Sequence, residues 1–310
     1  MNNCPKKIAF IASILILIVI PIQIEAQQTP GFAEYNYNPY LINGAFAGLA
    51  GTTEMSLTNS GFFNSLEGSP ETFGLTIHTD LNRGKVGLGA GFIRDQLGVT
   101  TSTRGFATYA YRIFFDTKRD RPYWQIYTPN ALSFSISAGL QQYEENLLSL
   151  GIMNDPNFAQ NINATIPTLG VGVLLNLAQF YVGFSSPNIF GDSLANDDAL
   201  DLSAVYHGYL GYHFFSDRFE EFMIKPNALI KYENGAPLQV DLNVSMNFKK
   251  RFEVGAGYRT NSSINLLAGI YVLENLRAIY QYNIASADTP FGNTHGIVIS
   301  YRFGKGFYEN

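Results

Sequence analysis

Residues 237–248 read PLQVDLNVSMNF and alternate without a break. Leu238, Val240, Leu242, Val244, Met246 and Phe248 fall on one side, and Gln239, Asp241, Asn243, Ser245 and Asn247 on the other. Successive side chains of a strand point to opposite faces, so this stretch predicts a strand with one apolar and one polar face. The same division recurs at 131–142, where Leu132, Phe134, Ile136, Ala138 and Leu140 oppose Ser133, Ser135, Ser137, Gly139 and Gln141. It returns at 252–259 and 276–283. Strands of roughly ten residues with apolar-out, polar-in alternation are the pattern of a transmembrane β-barrel.

Alternation, β-branched and aromatic enrichment and turn residues delimit fourteen candidate strands. They lie near residues 53–59, 72–79, 86–95, 101–115, 131–142, 168–177 and 180–187, then 205–215, 222–233, 237–248, 252–259, 264–272, 276–283 and 295–303. The expected fold is all-β: a transmembrane antiparallel β-barrel of about 14 strands over residues 53–303, followed by a tail at 304–310. An even count places both ends of the barrel on one side of the membrane. Connections after even strands are short at 82–85, 178–179, 249–251 and 273–275, while 216–221 is longer and 116–130 is an exception. Tyr123, Trp124 and Tyr127 within that exception suit strand extensions at an aromatic girdle. Connections after odd strands include the long, polar stretches 60–71, 143–167, 188–204 and 284–294, which are expected to face outward.

The amino terminus supplies the compartment. Lys6 and Lys7 precede an apolar run over 8–24, broken by Ser13, Pro21 and Gln23, and Ala26 offers a small residue before Gln27. With no basic stop-transfer flank behind it, this pattern predicts a cleaved secretory signal over 1–26 and delivery to the outer membrane of a Gram-negative cell. Cys4, the only cysteine, would leave with the signal, so the mature chain would hold no disulfide and no cysteine metal site.

Composition agrees. Only 15% of the 310 residues are charged and 14% are aromatic, with 24 Phe and 19 Tyr, and the mean hydropathy is +0.00. No run after Ala26 approaches the ~20 apolar residues of a spanning helix. The net charge of −5 becomes −6 once Lys6, Lys7 and Glu25 are removed, and no basic cluster supports nucleic-acid binding. Residues 27–52, rich in Asn, Pro, Gly and Tyr, precede the first strand. Fourteen strands enclose more than side chains fill, since that limit lies at about eight. The segment is therefore expected to fold into the lumen or to lie against the periplasmic rim.

Residues that could carry chemistry are few. The run from Gly87 through Gly89 and Gly91 to Phe92 has the spacing of a phosphate-binding loop, but no helix follows it. Glycines at alternate strand positions relieve crowding on one face of a barrel. His207 and His213 share a face but stand too far apart to hold one ion, and no acidic cluster surrounds any of the four histidines. His295 and Ser300 lie on one strand, unsuited to a hydrolytic pair, and no nucleophile elbow is present. Neither an enzyme nor a cofactor is expected. Asp241, Glu253, Arg259, Arg277 and Gln281 share faces with polar residues and so belong to the lumen. Either they form an internal network that holds the barrel round, as buried charges must be paired, or they meet a partner.

The order of motifs along the chain carries a further signal. Residues 30–48 read PGFAEYNYNPYLINGAFAG, with Asn38-Pro39 and Ala45 to Gly48 in place but Asn43-Gly44 where a second Asn-Pro would stand. Then come Gly68 to Pro70, Gly87 to Gly91, Tyr109 to Arg112, Leu132 to Gly139 and Phe180 to Gly183. Ile224 to Asn227, Gly235 to Asn243, Gly257 to Arg259, and His295 to Phe303 complete the series. This order resembles the PorP/SprF family of type IX secretion system outer-membrane proteins over nearly the whole mature chain. Two stretches depart from the family pattern, Asn59 to Phe63 and Asn293 to Gly296, both near expected rims.

The resemblance implies a secretion accessory, not an enzyme. Such a protein would dock or retain the C-terminal sorting domain of a secreted adhesin at the cell surface, in gliding or adhesion. Its partners would be that domain, other type IX secretion components and outer-membrane lipid. Asn38, Pro39, Ala45 and Gly48 carry the N-terminal motif. Asp241, Asn243, Arg259, Arg277 and Gln281 are the candidate lumen residues for partner contact. From the strand count alone, a passive diffusion channel or a hydrophobic-ligand transporter is the alternative.

Overall fold

The computed structural model describes residues 33–62, 68–115, 130–152, 155, 158–191, 193, 203–215, 222–260, 263–286, 292–304 and 306–307. The cleavage position at Ala26 and the aromatic residues Tyr123, Trp124 and Tyr127 lie outside the described residues. Alternating sequence becomes strand almost throughout. In chain order the strands are β1 (Glu54–Phe62), β2 (Glu71–Leu81), β3 (Val86–Leu97), β4 (Thr100–Phe114), β5 (Ala131–Glu145), β6 (Ile162–Leu177) and β7 (Phe180–Ser186). There follow β8 (Val205–Tyr212, continued by Phe214–Phe215), β9 (Phe222–Glu233), β10 (Gln239–Phe248), β11 (Phe252–Arg259), β12 (Ser263–Leu273), β13 (Leu276–Ala285) and β14 (Thr294–Arg302).

Each strand pairs antiparallel with its neighbours in sequence, and β1 meets β14 from Glu54 opposite Arg302 to Ser60 opposite Gly296. The result is a closed fourteen-strand barrel. The short gap in β8 has a local cause. Pro226 of β9 faces that point and has no N–H to give to the ladder, and the register on either side of the gap is unchanged.

The two faces separate as the alternation requires. Leu242, Val244 and Met246 of β10 are exposed on the outer surface, whereas Asp241, Ser245 and Asn247 are buried inside. Aromatic side chains ring the apolar band at both ends. One ring contains the neighbouring pairs Tyr212–Phe214, Phe222–Phe248 and Tyr301–Phe303. The other contains the stacked series Phe184, Tyr206 and Tyr232. Such girdles sit where a barrel crosses the two membrane–water interfaces.

The two ends differ. At the turn end, residues 82–85, 178–179, 249–251 and 274–275 close tight connections. Asn82 with Arg83, and Lys249 with Lys250, take the left-handed conformation that matches hairpin twist. At the loop end the wall is uneven. At about 3.3 Å per residue, the 16-residue β6 is about 50 Å long and the 7-residue β7 about 23 Å.

The outward loop expected over 143–167 is consequently shorter, because Tyr143, Glu144 and Glu145 pair with Ala164, Asn163 and Ile162. Only 146–161 connects β5 to β6, with a 3-10 turn at Leu147–Leu150. The connection from β3 to β4 is Gly98-Val99 alone, a short link at the end where long ones predominate.

Residues 35–48 run inside this ring. Asn38 hydrogen-bonds Thr58 of β1 and Thr76 of β2. Asn43 donates to the Tyr209 hydroxyl of β8, halfway round the barrel. A core of Tyr35, Leu41, Ile42 and Ala45 from the segment packs with Ile93, Leu174, Tyr209 and Leu229 from the wall.

Candidate functional site

The segment is built to be short and polar-edged. Three 3-10 turns, Ala33–Asn36, Pro39–Leu41 and Gly44–Phe46, compact it. Pro39 opens the second turn, where its missing N–H leaves nothing unpaired. Asn43 caps the third by accepting from the Ala45 N–H at 2.8 Å. Its amide donates to the carbonyls of Val173 and Phe184 at 3.1 and 3.3 Å.

Ile42 offers its carbonyl to Ser185 at 2.7 Å. Gly48, with φ of +65°, sits so close to β2 that a Cβ would stand 2.4 Å from the Thr79 carbonyl oxygen. The wall is cut back to receive the segment. A Cβ on Gly87 or Gly172 would lie 2.0 Å from the Ala47 carbonyl oxygen or the Asn43 side-chain oxygen respectively. Gly87 and Gly89 thus make room for the segment, while Gly91 makes room for the Phe106 ring of the neighbouring strand. Gly44 answers the departure from the second Asn-Pro, since any Cβ there would meet Thr108 at 2.6 Å.

Charged groups concentrate around the segment at the turn end. Glu253 of β11 forms an ion pair with Lys225. It also accepts from the hydroxyls of Tyr37 (2.9 Å), Tyr271 (2.9 Å) and Ser245 (3.1 Å) and from Asn247 (3.2 Å). Burial and the Glu253 carboxylate hold the Tyr37 phenol well above its ordinary range, so it stays a neutral donor. Arg277 of β13 donates to the Tyr37 carbonyl (2.6 Å), Ser300 (3.1 Å) and Glu54 (3.4 Å). Arg302 holds the other Glu54 oxygen at 2.8 Å and so pins the β1–β14 seam. Arg112, 2% exposed, binds three carbonyls, those of Ala47, Gly48 and Gly84.

The chain's other end meets the same cluster. Phe307 is buried, with its ring 4.7 Å from the Arg277 guanidinium and 4.2 Å from that of Arg302. Because the Tyr37 ring lies 5.3 Å from Arg277, that guanidinium touches aromatic rings from both ends of the chain. Cations over ring faces are attracted by the ring quadrupole.

Towards the loop end a second set of charged side chains faces inward, with Lys231 among Glu233, Asp95, Asp241 and Arg259. Asp241 and Arg259 stand opposite in register and join through two parallel bonds of 2.9 and 2.8 Å. Asn243 donates to the Tyr35 hydroxyl at 2.5 Å and to Asn227 at 3.3 Å. Gln281 donates to Asn283 at 2.5 Å.

The residues singled out from sequence therefore separate into groups. Asn38, Pro39, Ala45 and Gly48 build the segment and its seat. Arg277 and Asn243 bind the segment. Asp241 pairs with Arg259 beyond it, and Gln281 binds a neighbour on its own strand. Sequence reasoning did not single out Tyr35, Tyr37, Asn43, Lys225, Arg112 or Phe307. Arg112 is buried on the inward face of β4 with Ala110, and nothing in the pattern marks a side chain whose partners are the carbonyls of a distant turn. Among the described residues there is no group of three or more His, Cys, Asp and Glu that could hold a metal ion.

Comparison with known proteins gives the family. The model of the family described as type IX secretion system membrane protein PorP/SprF matches residues 24–301. The chain belongs to this family, and is an outer-membrane β-barrel of that secretion system. No curated protein matches the chain in sequence. Among solved structures it is similar to Omp33 of Acinetobacter baumannii, with 10% identity and a TM-score of 0.44 over 81% of this chain and 98% of that one. It is also similar to the KdgM porin, with 10% identity and a TM-score of 0.37 over 81% and 99%. A mutant Rh. blastica porin follows, with 8% identity and a TM-score of 0.35 over 81% and 99%.

Proposed function

We propose that this PorP/SprF barrel is a stoppered scaffold that docks or retains the C-terminal sorting domain of a secreted adhesin at the cell surface, in gliding or adhesion. In this reading residues 27–52, released by cleavage near Ala26, are a resident plug. The outward loops and upper wall are the docking surface. Other secretion components would meet the turn end, lipid surrounds the apolar band, and the chemistry is binding without catalysis.

One observation carries the proposal. The segment is bonded to opposite walls at once, through Asn38 to β1 and β2 and through Asn43 to β6, β7 and β8. A barrel filled this way offers a fixed surface to a partner but no ready path through itself. That argues against a passive diffusion channel or a hydrophobic-ligand transporter.

The loop end supplies features that a polypeptide would use. Above Val171, which faces Ser186, the Ile189 N–H still bonds the Leu169 carbonyl, and beyond Leu169 no strand among the described residues continues along the β7 side of β6. Open strand edges accept an added strand through main-chain hydrogen bonds. Leu148, Leu150 and Ile152 are exposed in the loop beside this edge and offer apolar contact.

Deletion of the protein, and separately shortening of residues 146–161, tests the reading by surface labelling of secreted adhesins. Loss of one cognate adhesin from the surface, with other cargo displayed, is expected in both strains. Normal display of every cargo in the deletion strain would overturn the proposal.

A further inference from the structure

We propose that a shallow recess on the loop-end side of the segment is a binding site for a carboxylate borne by a polypeptide that enters from the outer mouth. Tyr40 and Gly44 form its floor, and Arg104, Ser137, Thr168 and Ser186 rise around it from β4, β5, β6 and β7. The inference rests on the docking reading above for its polypeptide and on the following geometry for its charge.

The lining holds a cation and hydroxyl groups but no carboxylate. The Arg104 guanidinium has no hydrogen bond or ion pair among the described residues, and rests 5.2 Å from the Phe106 ring centroid. Asp95, the carboxylate nearest in electrostatic effect, accepts from Thr72 and contributes no oxygen to the recess lining. The Ser186 hydroxyl belongs to a residue only 1% exposed and has no hydrogen-bond partner, while the equally buried Tyr40 hydroxyl stands beside Thr108. Burial pushes the Tyr40 phenol up to about 12, so it remains an O–H donor at neutral pH. Buried polar atoms without partners are rare in native proteins and call for a ligand or an ordered water.

Water alone would serve the Ser186 hydroxyl. It would leave the guanidinium, whose planar fork of donors matches a carboxylate, with the field of Asp95 but no carboxylate hydrogen-bonded to it. No lining side chain carries a negative charge. Elsewhere in the lumen the same chemistry is already answered internally, at Asp241 with Arg259 and at Glu54 with Arg302. Among the described residues Arg104, towards the loop end, has neither a carboxylate nor a carbonyl bound to its guanidinium.

The test uses the full-length mature protein in detergent micelles. The probe is a fluorescent octapeptide of alternating alanine and glycine, prepared with a free carboxylate end and as the matching C-terminal amide. The free acid is expected to bind about tenfold more tightly, the scale of a charge-assisted hydrogen bond. Arg104→Gln should erase that difference, while Arg259→Gln should leave it intact.

Unaltered heat-modifiable migration of Arg104→Gln would show that its barrel is folded. Equal binding of acid and amide, or a preference that survives Arg104→Gln, would overturn the site. Displacement of the free-acid peptide by inorganic phosphate far more readily than by acetate would overturn the carboxylate assignment in favour of a phosphate site. The outcome is independent of adhesin display. A carboxylate preference with normal display in the deletion strain would sink the docking reading alone, and lost display without the preference would sink the recess alone.

Discussion

The two halves of the lumen use similar residues to opposite ends. At the turn end Glu54, Lys225, Glu253, Arg277 and Arg302 interlock with Tyr37 and Phe307, so the segments before β1 and after β14 are held by one set of charges. At the loop end Asp241 holds Arg259 and Gln239 and stands with Glu233 and Asp95 around Lys231, while Arg104 has no hydrogen-bond acceptor among the described residues. Desolvated charges are tolerated only where partners repay their lost hydration, and the turn end provides those partners from the protein itself. The loop end leaves part of the account open to a guest. An inward-facing arginine is therefore ambiguous by position alone, and what it touches decides between scaffold and binding site.

The contrast breaks most visibly at Glu253. Glu253→Ala removes the acceptor for Tyr37, Tyr271 and Lys225 and leaves a lysine poorly exposed and unpaired. Loss of one partner of a buried pair costs about 3–5 kcal/mol, so the heat-modified gel transition should move sharply to lower temperature.

Arg277→Ala should follow at a similar or slightly smaller cost, again about 3–5 kcal/mol, because it uncouples Tyr37, Ser300 and Phe307 together. Limited proteolysis should then cut near residues 35–48 while the barrel stays intact.

A substitution on the outer wall separates failure of the barrel from failure of the lumen contrast. Val244→Arg places a cation against lipid at a cost of about 2–4 kcal/mol and should reduce assembly in outer-membrane fractions. Asn243→Arg, one residue away and inward, should assemble better but release Tyr35, again read by proteolysis. Equal assembly defects would mean that the strand faces are misassigned.

The smallest effect sharpens the comparison. Arg104→Ala should change the thermal transition by no more than about 1 kcal/mol, the scale of its cation–π contact with Phe106. A loss as large as that of Arg277→Ala would place Arg104 in a structural network and erase the distinction between the halves.

Much of the fold could be read from local pattern. Period-2 alternation marked all fourteen strands and assigned Leu242, Val244 and Met246 to the outer face. It failed at strand ends above the apolar band. There Tyr143 to Glu145 pair with Ile162 to Ala164 beyond the alternating stretch, and Pro167 read as a boundary although it lies inside β6. The lumen was legible only as a set of inward polar residues. Which of them meet each other depends on contacts across up to 240 residues of chain, as from Arg277 to Tyr37, and no local period encodes these. The glycines of 87–91 could be assigned to relief of crowding, but the chain segment that Gly87 and Gly89 admit was not deducible from their spacing.

The central claim is that residues 35–48 stopper the barrel, which makes the protein a scaffold and not a conduit. Planar-bilayer recording of the purified mature protein tests it most directly. The account predicts no steady conductance for the native chain, and a steady open current once residues 33–50 are deleted from a variant that still folds. A stable, solute-selective current through the native chain would contradict it.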